Sequence, residues 1–273
     1  MFIPNNANDI AGALRIIKEA RSPFAVISGG HMPVPGAQST DDGVLISLEA
    51  LTALTFNEDK SIAQVTPGHV WQDVYSWVSQ SGLAVNGGRY GQVGVGGLLM
   101  GGGIGYFGSQ FGWGCDSVVQ YEVVLANSSV VLVNATSFPD LFWALKGGHN
   151  YFGIVTRYDM KTFPATDAFF SGTIWSAPAT DAWFDALNAY YAPGGGVDDI
   201  KAAIMPIVAL TPGDGTYEVI SLEFYADPVA SPQAFENFTK IDAPYTLKQE
   251  GVAPWPTLAG ALDTPAFAGR DER

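Results

Sequence analysis

The run Phe24-Ala-Val-Ile-Ser-Gly-Gly-His31 is an apolar strand that stops at two glycines and delivers an imidazole. A second, larger glycine cluster spans Gly87 to Gly114. Glycine has no Cβ, so both runs can bring bare backbone N–H groups against a ligand, and two such turns suit an anionic cofactor of extended shape. His31 sits where that cofactor would pass. The eleven glycines from Gly87 to Gly108 each cost up to about 1 kcal/mol of backbone entropy relative to alanine, so close approach of backbone to a planar or anionic ligand accounts for them better than turns alone.

Other chemistries fail on their own letters. Gly103-Ile-Gly105-Tyr-Phe-Gly108 matches G-x-G-x-x-G, and Glu122 follows at about the right distance. A dinucleotide fingerprint nevertheless needs a buried strand directly before it and a helix directly after, and glycine-rich sequence flanks this one on both sides. No phosphate loop ending in Gly-Lys-Ser/Thr and no G-x-S-x-G elbow occurs, and His31, His69 and His149 are the only histidines. Cys115 stands alone, which leaves no internal disulfide and no Cys-His cluster for zinc. His69 reads as a surface or capping residue, and His149 is assigned no chemistry. Trp71, Trp77 and Trp143 fall on apolar helix faces as core aromatics, while Tyr90 and Tyr106 either pack or face a ligand ring.

Hydrophobic residues make up 47% of the 273 and charged residues 15%, enough apolar material for a large core or two smaller ones. A net charge of -14 argues against nucleic acid, whose phosphates demand clustered cations. No apolar run is long enough to span a bilayer. Sequons at Asn127, Asn134 and Asn237 fit a secreted glycoprotein, although the start Met-Phe-Ile-Pro-Asn-Asn has no signal-peptide pattern.

Elements must position these groups. Asn8 or Asp9 can cap a helix carrying Ile10, Leu14 and Ile17, which Pro23 ends before the strand Phe24–Ser28. Strands follow at Val44–Leu48 and Ser61–Thr66, then an amphipathic helix with Val70, Val74, Trp77 and Val78. Val118–Ala126 and Val130–Val133 form a hairpin around Asn127-Ser128, Pro139–Lys146 is a short helix, and Phe152–Met160 is a strand. Past Pro164-Ala165-Thr166 the texture changes to strands Phe170–Trp175, Lys201–Leu210 and Thr216–Ala226, with a turn at Pro212–Gly215 and helices Thr180–Tyr191 and Ser231–Ile241. That is an antiparallel sheet with helices on one face, an α+β layer able to close over a cofactor.

Taken in order, Ser28-Gly-Gly-His31, Thr66-Pro-Gly68 with Trp71-x-x-Val74-Tyr75, Val93-Gly-Val-Gly-Gly97 with Gly101-Gly-Gly-x-Gly105, and Asp140-Leu-Phe-Trp-Ala-Leu-Lys-Gly-Gly148 with Phe152-Gly-Ile-Val-Thr156 resemble the berberine bridge enzyme-like FAD-linked oxidases of the vanillyl-alcohol oxidase superfamily. The resemblance runs from about residue 2 to 163. It implies an α+β fold: a PCMH-type FAD-binding domain of two α/β subdomains over 1–163, then an incomplete antiparallel-sheet substrate domain over 164–273. It also implies that His31 bonds covalently to flavin C8 methyl and that Gly29 and Gly30, next to Ser28, offer amides to the pyrophosphate. Gly94, Gly96, Gly97 and Gly101, Gly102 and Gly103 would line the flavin, with Asp116 in the same set and backbone contacts from Ile154 and Val155. Some relatives carry a second, cysteine tether where Tyr90 stands here, so attachment is expected at His31 only. Cys115 is expected to be a packed small hydrophobe, and Val93 matches a position associated with oxygen access.

Family members finish with a segment containing a Tyr-x-Asn element that supplies a catalytic base, and the chain is expected to be truncated at both ends, leaving the base unassigned. The expectation is an oxidoreductase that takes hydride from an alcohol, sugar hydroxyl or secondary-metabolite C–H or C–N centre onto covalent FAD, with molecular oxygen as acceptor. The alternative is a catalytically silent FAD-binding or carbohydrate-binding fragment. Neither reading involves a metal.

Overall fold

The computed structural model describes residues 1–260 except Pro33, Pro35, Pro212 and Asp214. Half of the expected Pro212–Gly215 turn, and all of 261–273, therefore lie outside the described residues. In chain order the elements are α1 (Ala7–Ala20), β1 (Phe24–Ile27), β2 (Val44–Ser47), β3 (Leu54–Phe56), β4 (Ile62–Val65), α2 (Trp71–Ser79), β5 (Leu83–Ala84), α3 (Val95–Met100) and α4 (Gly108–Phe111). They continue with β6 (Val118–Val124), β7 (Val130–Asn134), α5 (Pro139–Leu145), β8 (Ile154–Lys161), β9 (Phe163–Pro164), β10 (Asp167–Ser176), α6 (Thr180–Tyr191), β11 (Ala202–Leu210), β12 (Tyr217–Tyr225), α7 (Glu236–Thr239) and β13 (Tyr245–Pro254). Two compact units result. Among the described residues the first holds Met1–Gly105, Phe111–Pro164 and residues 259–260, and the second holds Tyr106–Gln110 and Ala165–Leu258.

In the first unit, Ile10, Leu14 and Ile17 recur at helical spacing on α1 and bury against Ile46, Leu48, Val124 and Ile154. The cap is Asn6 rather than Asn8 or Asp9: Asn6 Oδ1 accepts from the Asp9 amide at 3.0 Å, which leaves the Asp9 carboxylate to accept from the Asn5 amide at 2.9 Å. β1 and β2 pair in parallel, and the chain leaves β1 at Ser28. A five-stranded antiparallel sheet has the order β3-β4-β8-β6-β7, and its alternation sorts side chains cleanly. Leu54, Val65, Tyr158, Tyr121 and Val133 form an apolar row on one face. Across the other runs a polar row, Thr55, Gln64, Asp159, Gln120 and Asn134. Asn134 Nδ2 donates to Gln120 Oε1 at 2.9 Å, Gln120 Nε2 donates to Asp159 Oδ2 at 2.8 Å, and Arg157 forks onto both oxygens of the buried Asp159.

Trp71 is fully buried and Trp77 stacks on Phe56 at 4.1 Å, but Trp143 is 80% exposed. On the short α5, Phe142 takes the inward position against Tyr121, and one helical step turns Trp143 outward.

The second unit is a four-stranded antiparallel sheet in the order β11-β12-β10-β13. Phe169, Trp175, Trp183, Tyr190, Phe235 and Phe238 build its core, and Trp183 Nε1 donates to Ser221 Oγ at 2.9 Å, which satisfies the buried indole N–H. The expected helix Ser231–Ile241 shrinks to a 3-10 turn, Gln233–Phe235, followed by α7, because Phe235 and Phe238 need only one turn to reach the core. The mixed α/β architecture with antiparallel sheets agrees with the fold class read from the sequence. Among the described residues no helix is long and apolar enough to cross a membrane.

Candidate functional site

Ser28, at the exit of β1, donates its hydroxyl proton to the Pro67 carbonyl at 2.6 Å. That bond fixes where the following glycines can go. A Cβ on Gly94 would lie 2.4 Å from the Gly29 nitrogen, and one on Gly29 would lie 2.5 Å from Gly94, so the two backbones touch with no room for a side chain on either. A Cβ on Gly96 would meet Ser28 Oγ at 3.2 Å. Ser28, Gly29, Gly94 and Gly96 thus converge. Behind them the Tyr158 hydroxyl donates to the Gly96 carbonyl at 3.3 Å; complete burial drives the phenol pKa well up, which keeps it protonated as a donor.

Gly29, Gly30 and His31 are exposed residues, and their amides meet no acceptor among the described residues. Gly30 adopts φ +69°, the left-handed conformation that turns successive N–H groups toward one side. Gly97 is exposed, and nothing lies within 4 Å of where its Cβ would be. His31 is exposed as well, with its ring edge-on to Tyr90 at 5.6 Å between centroids. Free amides, an open glycine and an accessible imidazole fit an extended anionic cofactor.

The remaining candidates make contacts of their own. Gly101 lies under His149, whose Cε1 would be 2.9 Å from a Cβ there. Gly102 lies under Trp113, and Gly103 packs on Leu98. The Asp116 carboxylate accepts from the Trp113 amide at 2.9 Å while the Asp116 amide donates to the Trp113 carbonyl at 2.9 Å, so Asp116 fixes the residue that covers Gly102. Val93 is tied by its amide to the Tyr90 carbonyl and by its carbonyl to the Trp71 amide. Ile154 and Val155 are buried at the start of β8, opposite Val124 and Val123. Cys115 is buried and unbonded, and burial raises its thiol pKa. His69 stands at the head of α2, with Nδ1 3.6 Å from Asp73.

The glycine cluster is only partly ligand-facing. A Cβ on Gly87 would enter the Trp71 ring at 2.1 Å and one on Gly105 would strike Asn86 Oδ1 at 2.2 Å, so these positions serve internal packing. Sequence reasoning missed Pro67, Tyr158 and Gln38. Pro67 lies in the Thr66-Pro-Gly68 motif but acts through its carbonyl, and Tyr158 acts through a buried phenol that no motif marks.

Tyr106 packs on Phe224 at 4.9 Å in the second unit. There a cleft of about 60 Å³ is lined by Ser171, Thr173, Glu223, Phe238, Lys248 and Glu250 among others. Burial lifts the Glu223 carboxyl pKa to about 8, with Glu250 adding to the rise and a Ser171 hydrogen bond and Lys248 opposing it. The folded state therefore holds this proton more tightly than the unfolded chain, whose carboxyl titrates near 4.5. The contribution of this carboxyl to stability is fullest below pH 4.5 and is lost as pH rises through about 8, by at most on the order of 5 kcal/mol. Thermal melts across that range should show the slope in wild type and its loss in Glu223→Gln; parallel curves would refute it.

Residues 1–134 match the family described as FAD binding domain. The FAD-dependent monooxygenase prx3 of Penicillium roqueforti is 42% identical over 246 residues, covering 90% of this chain and 48% of that protein. Among solved structures, 6-hydroxy-D-nicotine oxidase of Arthrobacter nicotinovorans has a TM-score of 0.82 at 21% identity, covering 99% of this chain and 59% of that one. Physcomitrella patens BBE-like 1 has a TM-score of 0.81 at 21% identity, covering 95% of this chain and 55% of that one. These two likenesses speak to the fold, and the chain spans about half the length of the curated relatives it matches. The match of residues 1–134 to an FAD binding domain, the identity to an FAD-dependent monooxygenase and the likeness of fold all agree with the resemblance to FAD-linked oxidoreductases read from the sequence.

Proposed function

We propose that the protein is a flavin oxidase that removes hydride from an alcohol, a sugar hydroxyl or a secondary-metabolite C–H or C–N centre, with His31 as the single covalent tether and dioxygen as acceptor. The observation that carries this reading is the accessible His31 imidazole directly after the unpaired amides of Gly29 and Gly30, beside Gly94. When bound, FAD supplies the hydride acceptor, and an imidazole link raises its potential. The chain would do the rest: the amides of Gly29, Gly30 and His31 would donate to phosphate oxygens, and Gly97 leaves space for close approach. Tyr158 holds the first turn of α3 through Gly96, and Val93, fixed at both backbone groups, stands at the position we assign to oxygen access.

Purified protein should be yellow, and the colour should stay in the pellet after acid precipitation. Anaerobic bleaching by a panel of sugars, aromatic alcohols and amines then identifies the substrate class. A colourless protein refutes the reading, and a yellow protein that no substrate bleaches is a silent flavin binder.

We further read the protein as secreted and glycosylated. Asn127 is exposed at the β6–β7 hairpin, whereas Asn134 Nδ2 is already donated to Gln120. Expressed through a secretory pathway, the chain should carry glycan at Asn127, seen as an endoglycosidase-sensitive mass shift that Asn127→Gln removes.

A further inference from the structure

One side chain reaches the peptide groups on both sides of His31. Gln38 Nε2 donates to the Gly30 carbonyl at 2.8 Å, and Gln38 Oε1 accepts from the Met32 amide at 3.2 Å. A primary amide carries donor and acceptor in one plane, so Gln38 holds residue 30 and residue 32 at once. Gln38 is half-buried while Gly30, His31 and Met32 are exposed. The restraint matters because Gly30 sits at φ +69° and glycine alone would leave this turn many alternatives.

We infer that Gln38 is the positioning residue for His31, orienting the imidazole for bonding to the flavin; this rests on the tether reading above. Attachment forms a bond between an imidazole nitrogen and the C8 methyl carbon and breaks one N–H and one C–H bond. The two electrons and two protons released leave on dioxygen as hydrogen peroxide. A reaction that joins two held groups depends steeply on their alignment, and misplacement of about 1 Å costs about a hundredfold in rate. Gln38 touches neither reacting atom and acts through the backbone of its neighbours.

The test follows acid-precipitable flavin over time after FAD is added to apoprotein. Gln38→Met keeps the length and loses both hydrogen bonds, while Gln38→Glu retains the acceptor only. Incorporation should slow about ten- to a hundredfold in Gln38→Met, with Gln38→Glu between it and wild type. Dissociable FAD binding, measured in a His31→Ala background, should weaken on Gln38→Met by a much smaller factor than incorporation slows. Equal rates of incorporation in wild type and Gln38→Met overturn the inference. If wild type itself gains no acid-stable flavin, the tether reading fails separately, and the clamp is judged by hydrogen exchange at the Met32 amide of the apoprotein. Faster exchange in Gln38→Met supports the clamp, and unchanged exchange overturns it.

Discussion

Replacing His31 with alanine should leave no flavin in an acid-precipitated pellet while leaving the fold intact. The side chain is exposed and its described ring contact is one edge-on approach to Tyr90, so its loss should change stability by no more than about 0.5 kcal/mol. Flavin bound through the amides of Gly29 and Gly30 does not need the imidazole and should remain as a dissociable fraction. Absorbance of pellet and supernatant, read beside a thermal melt, separates these effects. Colour retained in the His31→Ala pellet would transfer the tether to another residue.

Gly94→Ala should damage both the first unit and its hold on flavin with a single methyl group. The backbone there, φ -66° and ψ 144°, suits alanine, so chain stiffening alone would favour the substitution by a few tenths to about 1 kcal/mol. Space decides otherwise. The new Cβ would lie 2.4 Å from the Gly29 nitrogen and 3.0 Å from Ser28 Oγ, and Ser28 is anchored to Pro67. Backbone on one side and an anchored side chain on the other leave no cheap adjustment, and overpacking of this kind costs about 3 kcal/mol. Because the strain falls on the turn that carries His31, FAD retention should fall with the melting temperature. Gly97→Ala is the contrast, since its Cβ meets nothing and the apoprotein should melt within about 1 kcal/mol of wild type. Equal melts for Gly94→Ala and wild type would mean that the Gly29–Gly94 contact yields easily.

Helix α6 was legible to the residue, Thr180–Tyr191, because Trp183, Ala186, Leu187 and Tyr190 repeat at helical spacing and Pro178 precedes them. Helix α3 was not, because Gly96 and Gly97 in six residues oppose helix by about 1 kcal/mol each. Tertiary bonds support it instead, including the Tyr158 hydroxyl on the Gly96 carbonyl. Strand β13 escaped notice because Lys248, Gln249 and Glu250 interrupt its apolar pattern, which an edge strand exposed along most of its length tolerates. At the site, motifs marked Ser28, His31 and the glycines by type. Their partners were hidden: Ser28 bonds to a carbonyl 39 positions away, and close backbone approach leaves no trace in the identities of the residues it joins. For the same reason the ligand-facing share of the glycine cluster looked larger than it is.

The polar row across the five-stranded sheet also bears on how the first unit finds its fold. A shift of one residue in β8 against its neighbours would swing Asp159 and Arg157 into the apolar layer of Tyr121 and Val133, parting the buried carboxylate from its Gln120 donor. Misaligned pairings of this strand are thereby penalised, so the hydrophilic band selects a single alignment of the sheet.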